Sequence, residues 1–154
     1  MINGDGGIQC WGRDNYGQVS DIPAGTFDSV SAGVLHTCGL KSSGSVECWG
    51  RDDYGESSPP SGTFTNTNVG DFHTCGVKSG SVECWGRDLY GEASPPSGTF
   101  TSVDAGGYHT CGLKSAGIMD CWGSESGEWT DFGQSIPPSG TFDSVSAGSF
   151  HTCG

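Results

Sequence analysis

One pattern recurs four times along the chain and constrains its fold more than any other feature. The triplet Cys-Trp-Gly begins at Cys10, Cys48, Cys84 and Cys121. The quartet His-Thr-Cys-Gly begins at His36, His73, His109 and His151. Successive Cys-Trp-Gly triplets are 38, 36 and 37 residues apart. Such a period is typical of arrays in which each unit buries its apolar face against its neighbours.

The sequence of each unit predicts three or four short strands separated by tight turns. In the first unit, strands are expected near 26–32, at His-Thr-Cys-Gly-Leu and at 45–50, with a Ser- and Gly-rich turn between the last two. The 28 glycines and 7 prolines disfavour long helices. We therefore predict an all-β chain, a β-propeller of four repeated blades. The single domain 1–154 divides into units at about 13–48, 51–84, 87–121 and 124–154, the last completed by 1–12.

The first twelve residues match what the fourth unit lacks after Gly154. With Met1 in the place of Leu40, Asn3-Gly4 and Asp5-Gly6 would form the turn, and Cys10-Trp11-Gly12 would form the last strand. We predict that the N- and C-terminal strands pair and close a ring, which removes the open sheet edges. The alternative is pairing with the next molecule, which would give a polymer.

Eight cysteines in 154 residues indicate an oxidising compartment, and we expect a secreted, extracellular protein. The favoured pairing crosses each hairpin: Cys38–Cys48, Cys75–Cys84, Cys111–Cys121 and, between the ends, Cys10–Cys153. A second symmetric set stays open: Cys10–Cys38, Cys48–Cys75, Cys84–Cys111 and Cys121–Cys153. Met1 to Gly7 has no signal-peptide character, so either a signal has been removed or the chain is a piece of a longer one.

The unit from Gly33 to Gly55, Gly-x-x-His-Thr-Cys-Gly-Leu-Lys-x-x-Gly-x-Val-x-Cys-Trp-Gly-Arg-Asp-x-Tyr-Gly, resembles the regulator-of-chromosome-condensation repeat family. Propeller-type β-lactamase inhibitor proteins look similar. The resemblance covers essentially the whole chain and implies a β-propeller of repeated blades. Members are usually seven-bladed, whereas this chain holds four units. The paired cysteines resemble a disulfide-bearing, exported bacterial branch of these repeats.

The formal net charge of −12, with only six basic residues spread along the chain, excludes a basic face for nucleic acid and disfavours anionic membranes. No stretch is long and apolar enough to insert into a membrane. No nucleophile elbow, zinc-protease motif or phosphate loop is present, so we predict no enzyme and no cofactor. Asp14, Asp52, Asp53 and Asp88 are interpreted as turn caps rather than calcium ligands.

The histidines His36, His73, His109 and His151 admit two interpretations. A closed four-fold ring could bring their imidazoles together around a transition metal. The simpler interpretation, which we favour, is a structural hydrogen bond made by each histidine inside its own blade. We therefore predict no metal site.

Aromatic residues on the loops are the best binding candidates. Tyr16, Tyr54, Tyr90 and Phe132 follow the acidic loop residues in the four units, although packing between blades would also explain them. The fourth unit carries an insertion, 124–130, that contains Glu125, Glu128 and Trp129. Exposed Trp and Tyr are frequent interface anchors.

These observations predict an extracellular, non-enzymatic binding or scaffold module whose partner is a protein or another copy of the chain. A structural subunit of a head-to-tail filament is the main alternative. A carbohydrate-binding or hydrolase-accessory module is the third.

Overall fold

The computed structural model describes residues 1–124 and 129–154 of the chain. Its strands, in chain order, are β1 Ser29–Ala32, β2 His36–Leu40, β3 Val46–Gly50, β4 Asn66–Val69, β5 His73–Lys78, β6 Ser81–Gly86, β7 Phe100–Ala105, β8 His109–Lys114, β9 Met119–Gly123, β10 Ser146–Ala147 and β11 Thr152–Cys153. The described residues contain no helix, so none is long and apolar enough to cross a membrane. The all-β prediction is confirmed for this part of the chain.

The strands form antiparallel sheets in which chain order is spatial order. The first blade is β1-β2-β3, the second β4-β5-β6 and the third β7-β8-β9, while the fourth blade is the two-stranded sheet β10-β11. Equivalent residues pair in each complete blade, for example Cys38 opposite Cys48 and Cys75 opposite Cys84. The third blade has a register shift between Phe100 and Ser102. The repeat in the sequence is thus a repeat of meandering blades.

Glycine is needed at two positions of the repeat for different reasons. Gly44, in the turn between β2 and β3, has φ +82°, in the left-handed region that side chains disfavour. Gly39 lies on β2 beneath the ring of Phe27, and a Cβ there would come within 2.5 Å of a ring carbon. The quartet His-Thr-Cys-Gly therefore ends in glycine because Phe27, which follows Gly25 and Thr26, packs on that strand.

The apolar core lies between consecutive blades. Between the first and second blades, buried Leu40 packs with Phe64 and Trp85. Between the second and third blades, Cys75 and Val77 pack with Phe100 and Val103. Each blade therefore uses its neighbour to bury its apolar side chains, as expected for a repeat array.

The hairpin disulfides favoured from the sequence are present in the described residues: Cys38–Cys48, Cys75–Cys84 and Cys111–Cys121. Each joins directly opposed residues with Cα atoms 4.1 Å apart. The alternative set across the long loops is therefore wrong for these six cysteines. Closing loops of this length contributes about 2–3 kcal/mol each to stability in the chain-entropy account.

The predicted ring closure is not formed. Cys10 and Cys153 are both unpaired within the described residues, and β11 pairs with β10 alone. The first residues instead fold back on themselves through a bridge between Ile2 and Ile8. The ring stays open because of where the N-terminal hairpin lies. Phe27 N–H donates to Gly6 O at 2.8 Å, which holds this hairpin beside the first blade, at the opposite end of the array from the fourth blade.

The register predicted for the N-terminus was also wrong by one residue. Leu40 pairs with Val46 across the turn of the first blade, and the equivalent pair at the N-terminus is Ile2 with Ile8. Asn3 N–H donates to Gly7 O at 2.9 Å, as Lys41 N–H does to Ser45 O. Ile2, rather than Met1, therefore takes the place of Leu40.

Candidate functional site: an aromatic and guanidinium band

The loop aromatics of the first two units meet around one arginine. The guanidinium carbon of Arg51 lies 5.9 Å from the ring centroid of Tyr16 and 5.3 Å from that of Tyr54. It also lies 5.8 Å from the ring of Phe72, in the second unit. Attraction between a cation and aromatic faces holds rings from neighbouring units together.

The contacts continue through the third and fourth units. Arg87 lies 4.3 Å from the ring centroid of Phe72 and 4.7 Å from that of Tyr108. Tyr108 meets Tyr90 edge to face at 5.6 Å and stacks on Phe150 at 5.3 Å. Arg87, Tyr108 and Phe150 therefore connect the rings around Arg51 to the fourth unit.

Phe132 completes this aromatic band by meeting Phe150 edge to face, with centroids 5.6 Å apart. The band consists of Tyr16, Arg51, Tyr54, Phe72, Arg87, Tyr90, Tyr108, Phe132 and Phe150. Packing does not remove the band from solvent: Tyr16 is 46% exposed, Tyr54 49% and Phe132 71%. Packing between blades and a role in binding are thus compatible for these aromatic residues, because the rings pack on one another and still present a surface to solvent.

The other binding candidates come from the insertion in the fourth unit. Trp129 is 97% exposed, so it makes almost no contribution to packing in this structure. Glu125 and Glu128 lie outside the described residues. Trp129 is thus a large apolar side chain held in solvent, and its role in contacts stays a prediction.

Buried carboxylates fix the two arginines of the band. Arg87 Nε lies 2.9 Å from Glu92 Oε1, and Glu92 is fully buried. The other oxygen of Glu92 accepts from the backbone N–H of Tyr90 at 2.6 Å. Glu56 makes the equivalent bond with Tyr54 N–H at 2.7 Å and lies 3.6 Å from Arg51 Nε. One carboxylate thus shapes the aromatic loop and neutralises the arginine beside it.

The loop aspartates act mainly as turn caps. Asp52 accepts from Ser57 N–H at 2.8 Å and from the hydroxyl of Ser58 at 2.7 Å. Asp88 accepts equivalent bonds, and Asp14 accepts from Val19 N–H at 2.8 Å, a bond that lowers the pKa of Asp14. Asp53 differs, because it forms an ion pair with Arg51 at 2.6 Å.

The histidines join blades rather than stabilising single blades. The Nε2 atoms of His36, His73 and His109 lie 2.7–2.9 Å from the hydroxyls of Thr74, Thr110 and Thr152, each in the following blade. Thr110 in turn donates to Glu92 O at 2.8 Å. A hydroxyl has one proton to donate, so it accepts from His73 Nε2–H. The expected bond within one blade was therefore wrong.

Burial keeps these imidazoles neutral. It lowers the pKa of His73 to about 3, helped by the charge of Arg87, and lowers the pKa of His36 and His109 to about 4. Each of these imidazoles is tied to a different threonine. Within 1–124 and 129–154, no three metal-ligating side chains form a cluster.

Sequence reasoning found the tyrosines but missed the residues that connect them. Phe72, Tyr108 and Phe150 each stand immediately before the histidine of their unit, where the first unit has Leu35. An aromatic residue at the same repeat position in three units was a detectable signal. The roles of Arg51 and Arg87 required the structure, because their contacts come from two units at once.

Residues 27–56 and 100–134 match the Regulator of chromosome condensation (RCC1) repeat. No curated protein matches the chain. Among solved structures, the entire ectodomain of the Physcomitrella patens receptor kinase CR4 is similar over 99% of this chain and 44% of its own, with 31% identity and a TM-score of 0.80. The CRINKLY WD40 ectodomain of the Arabidopsis thaliana receptor kinase ACR4 matches 86% of this chain and 46% of its own, with 30% identity and a TM-score of 0.68.

The chain thus spans less than half the length of these two ectodomains. Prp20p of Saccharomyces cerevisiae is similar over 92% of this chain and 50% of its own, with 15% identity and a TM-score of 0.69, which shows a shared fold. The array is therefore propeller-like, and its similarity to the two receptor ectodomains extends to sequence.

Proposed function

We propose that this chain is a non-enzymatic, extracellular binding module of the β-propeller type, and that the aromatic band is its contact surface for a protein partner. The observation that carries the proposal is the continuity of the band, which links all four units and remains partly exposed. The similarity to receptor ectodomains and the hairpin disulfides support an extracellular setting. Another protein of this fold, yeast Prp20, has been crystallised with Kap60 bound.

The band has the properties of a prepared interface. Tyr and Phe provide large contact areas with few rotatable bonds, so they lose little entropy when a partner binds. Arg87 already donates from Nε to Glu92 and from Nη2 to Gly107 O at 3.2 Å, which holds it in place before binding. An interface arranged in advance binds more tightly than one that orders on contact.

Charge indicates the kind of partner. The chain has a formal net charge of −12 and offers exposed aromatic faces at Tyr16, Tyr54, Phe132 and Trp129. A basic protein surface is attracted by the net charge and can place its cations over these rings. We therefore propose a partner with exposed Lys and Arg side chains.

A peptide array tests this surface. Arrayed Lys/Arg-rich peptides should bind the wild-type chain, whereas Asp/Glu-rich peptides of the same length should not. Phe132→Ala and Trp129→Ala should each weaken binding about tenfold, the loss typical of an interface anchor. Ile118→Ala, at a half-exposed turn residue outside the band, serves as the matched control and should bind as wild type does.

The stability of each variant separates binding from packing. Trp129→Ala should leave the thermal midpoint almost unchanged, because its side chain is in solvent. If Phe132→Ala and Trp129→Ala bind the basic peptides as well as the Ile118→Ala control does, the proposal is wrong. Binding of neutral oligosaccharides, lost in the same variants and insensitive to salt, would reassign the band to carbohydrate.

A further inference from the structure

Asp71 lies at the edge of the aromatic band and reaches two other units. It stands immediately before Phe72, a member of the band. Its backbone N–H donates to Gly106 O of the third unit at 3.2 Å. Its carboxylate Oδ1 accepts from the hydroxyl of Ser149, in the fourth unit, at 3.3 Å. One residue of the second unit thus contacts both of the units that follow it.

Gly107 makes room for this carboxylate. A Cβ built on Gly107 would lie 2.7 Å from Asp71 Oδ2 and 2.7 Å from Ser149 O, so any side chain there would displace the carboxylate. Gly107 is followed directly by Tyr108 of the band, and Phe150 follows the contacting serine in the same way. The Asp71 carboxylate therefore lies against the backbone that carries these two rings.

The position of Asp71 is acidic in the second unit alone. Val34, Gly107 and Ser149 hold the same place, directly after the glycine of Gly-x-x-His, in the other three units. A residue that builds the blade would recur at this position, as the histidine of that motif does. The charge of Asp71 is therefore particular to the second unit and is not part of what builds a blade.

The hydrogen bond to Ser149 does not require a carboxylate. A hydroxyl also donates to the amide oxygen of asparagine, which has the same shape as aspartate. Asn68 serves as such an acceptor elsewhere in the array, since its Oδ1 accepts from Ala105 N–H at 3.2 Å. The negative charge of Asp71 is therefore not needed for the contacts that it makes within the chain.

The other carboxylates beside the band are neutralised within the chain. Glu92 lies 2.9 Å from Arg87, and Asp53 lies 2.6 Å from Arg51. Among the described residues, no Lys or Arg nitrogen lies within 4.0 Å of the Asp71 carboxylate. The first and third units, which flank this residue, are described throughout. The charge of Asp71 is therefore open to a cation from another molecule.

We propose that Asp71 is the residue by which the aromatic band selects a basic partner, and that it binds one Lys or Arg side chain of that partner. This inference rests on the proposed function of the band as a contact surface. The cation of the partner's side chain accepts the Asp71 carboxylate as its counter-ion. The aliphatic stem of that side chain packs on the ring of Phe150, which is 46% exposed.

A carboxylate at this place discriminates between partners more sharply than the rings do. The aromatic faces accept neutral apolar side chains as well as cations. A neutral side chain that covered Asp71, however, would remove water from its charge without replacing the lost hydrogen bonds, which disfavours binding. Its contacts with the third and fourth units also hold Asp71 in place before the partner arrives.

Calorimetric titration with hexalysine tests the role of Asp71. The titration is made at about 150 mM salt, where a Debye length of about 8 Å limits the contribution of distant charges. Asp71→Asn should weaken hexalysine binding about tenfold, because one charged hydrogen bond is lost. The variant keeps an acceptor for the hydroxyl of Ser149, so its thermal midpoint should stay close to that of the wild type.

A matched variant and a matched peptide separate a direct contact from other effects. Asp28→Asn removes the same charge from an exposed residue outside the band and should bind hexalysine as the wild type does. Hexalysine acetylated on every side-chain amine should bind weakly, and equally to the wild type and to Asp71→Asn. Equal losses in the two variants would overturn the inference, because net charge would then explain the binding. Equal losses for the two peptides would overturn it as well, because they would show a structural effect.

Phe132→Ala distinguishes failure of this inference from failure of the proposed function. If Phe132→Ala weakens hexalysine binding and Asp71→Asn does not, the band remains the contact surface and the role of Asp71 is overturned. If only Asp71→Asn weakens binding, the cation site stands and the contact surface is confined to its surroundings. If the wild-type chain does not bind hexalysine, or if neither variant changes the binding, the inference and the proposed function are both overturned.

Discussion

The third and fourth units form the same loop, but the third buries an ion pair there and the fourth has neutral side chains. In the third, Tyr90 N–H donates to the Glu92 carboxylate, which also holds Arg87. In the fourth, Phe132 N–H donates to the amide oxygen of Gln134 at 2.7 Å, and Ser124 stands where the arginine would be. The turn needs only a side-chain oxygen as acceptor. A carboxylate is therefore buried in this loop only where an arginine neutralises its charge. The first unit also has the amide, Gln18, and its Arg13 is exposed.

Removing one charge from the third unit should have the largest effect. Glu92→Gln keeps the acceptor for Tyr90 N–H but leaves Arg87, 9% exposed, without its anion. We expect a loss of about 3–5 kcal/mol in the free energy of unfolding, measured with urea. The double variant Arg87→Ser with Glu92→Gln copies the fourth unit and should recover most of that loss. Equal stability of the single and double variants would refute the charge argument.

The reverse change in the fourth unit should lower the free energy of unfolding by somewhat less. Gln134→Glu places a carboxylate at a site only 5% exposed, with no arginine beside it in the described residues. Desolvation should destabilise the chain by about 2 kcal/mol at pH 7 and less at pH 4, where the carboxyl is protonated. Urea unfolding at both pH values measures the difference. Adding Ser124→Arg should restore stability at pH 7, and a failure to do so would show that the two units differ in more than charge.

The third unit should respond to acid through its buried histidine. Burial lowers the pKa of His109 to about 4, whereas His151 is exposed. An unfolded histidine takes up a proton near pH 6.5, so stability is full above that pH and falls as the pH drops towards the folded pKa. Each buried histidine should contribute a loss of about 1.4 kcal/mol per pH unit between 6.5 and about 4.

Unfolding free energies measured between pH 7 and pH 4.5 give this slope. His109→Gln should reduce the slope. Asp104 acts in the opposite direction, because burial raises its pKa and its protonation favours the folded state. A slope that is the same in the wild type and in His109→Gln would contradict neutral burial of His109.

Local contacts explain which parts of this structure the sequence could predict. The strands, turns and hairpin disulfides depend on residues about ten positions apart, and the repeated Cys-Trp-Gly and His-Thr-Cys-Gly motifs mark them directly. The His73–Thr110 bond crosses 37 residues, and no pattern within a single unit indicates its direction. The ring closure failed as a prediction because it depended on the separation of the chain ends, which is set by the accumulated geometry of three complete blades.

The same reasoning explains the partial success at the aromatic band. Tyr16, Tyr54 and Phe132 were visible because each occupies one loop position of the repeat. Their connection through Arg51 depends on rings from two units that approach the same guanidinium. Such a contact is a property of the stacking between units, and stacking geometry is not encoded in the spacing of motifs.

His36, His73 and His109 each donate to a threonine of the following blade, so these three blade junctions share one direction and the same histidine–threonine pair. Duplication or loss of a whole unit in the gene would therefore create a junction with the same histidine–threonine bond as those already present. Repeat number can change in a single recombination event without requiring a compensating substitution at the new junction. In such a lineage, selection on the number of units acts on the overall curvature of the array, while the chemistry that joins the units is inherited intact.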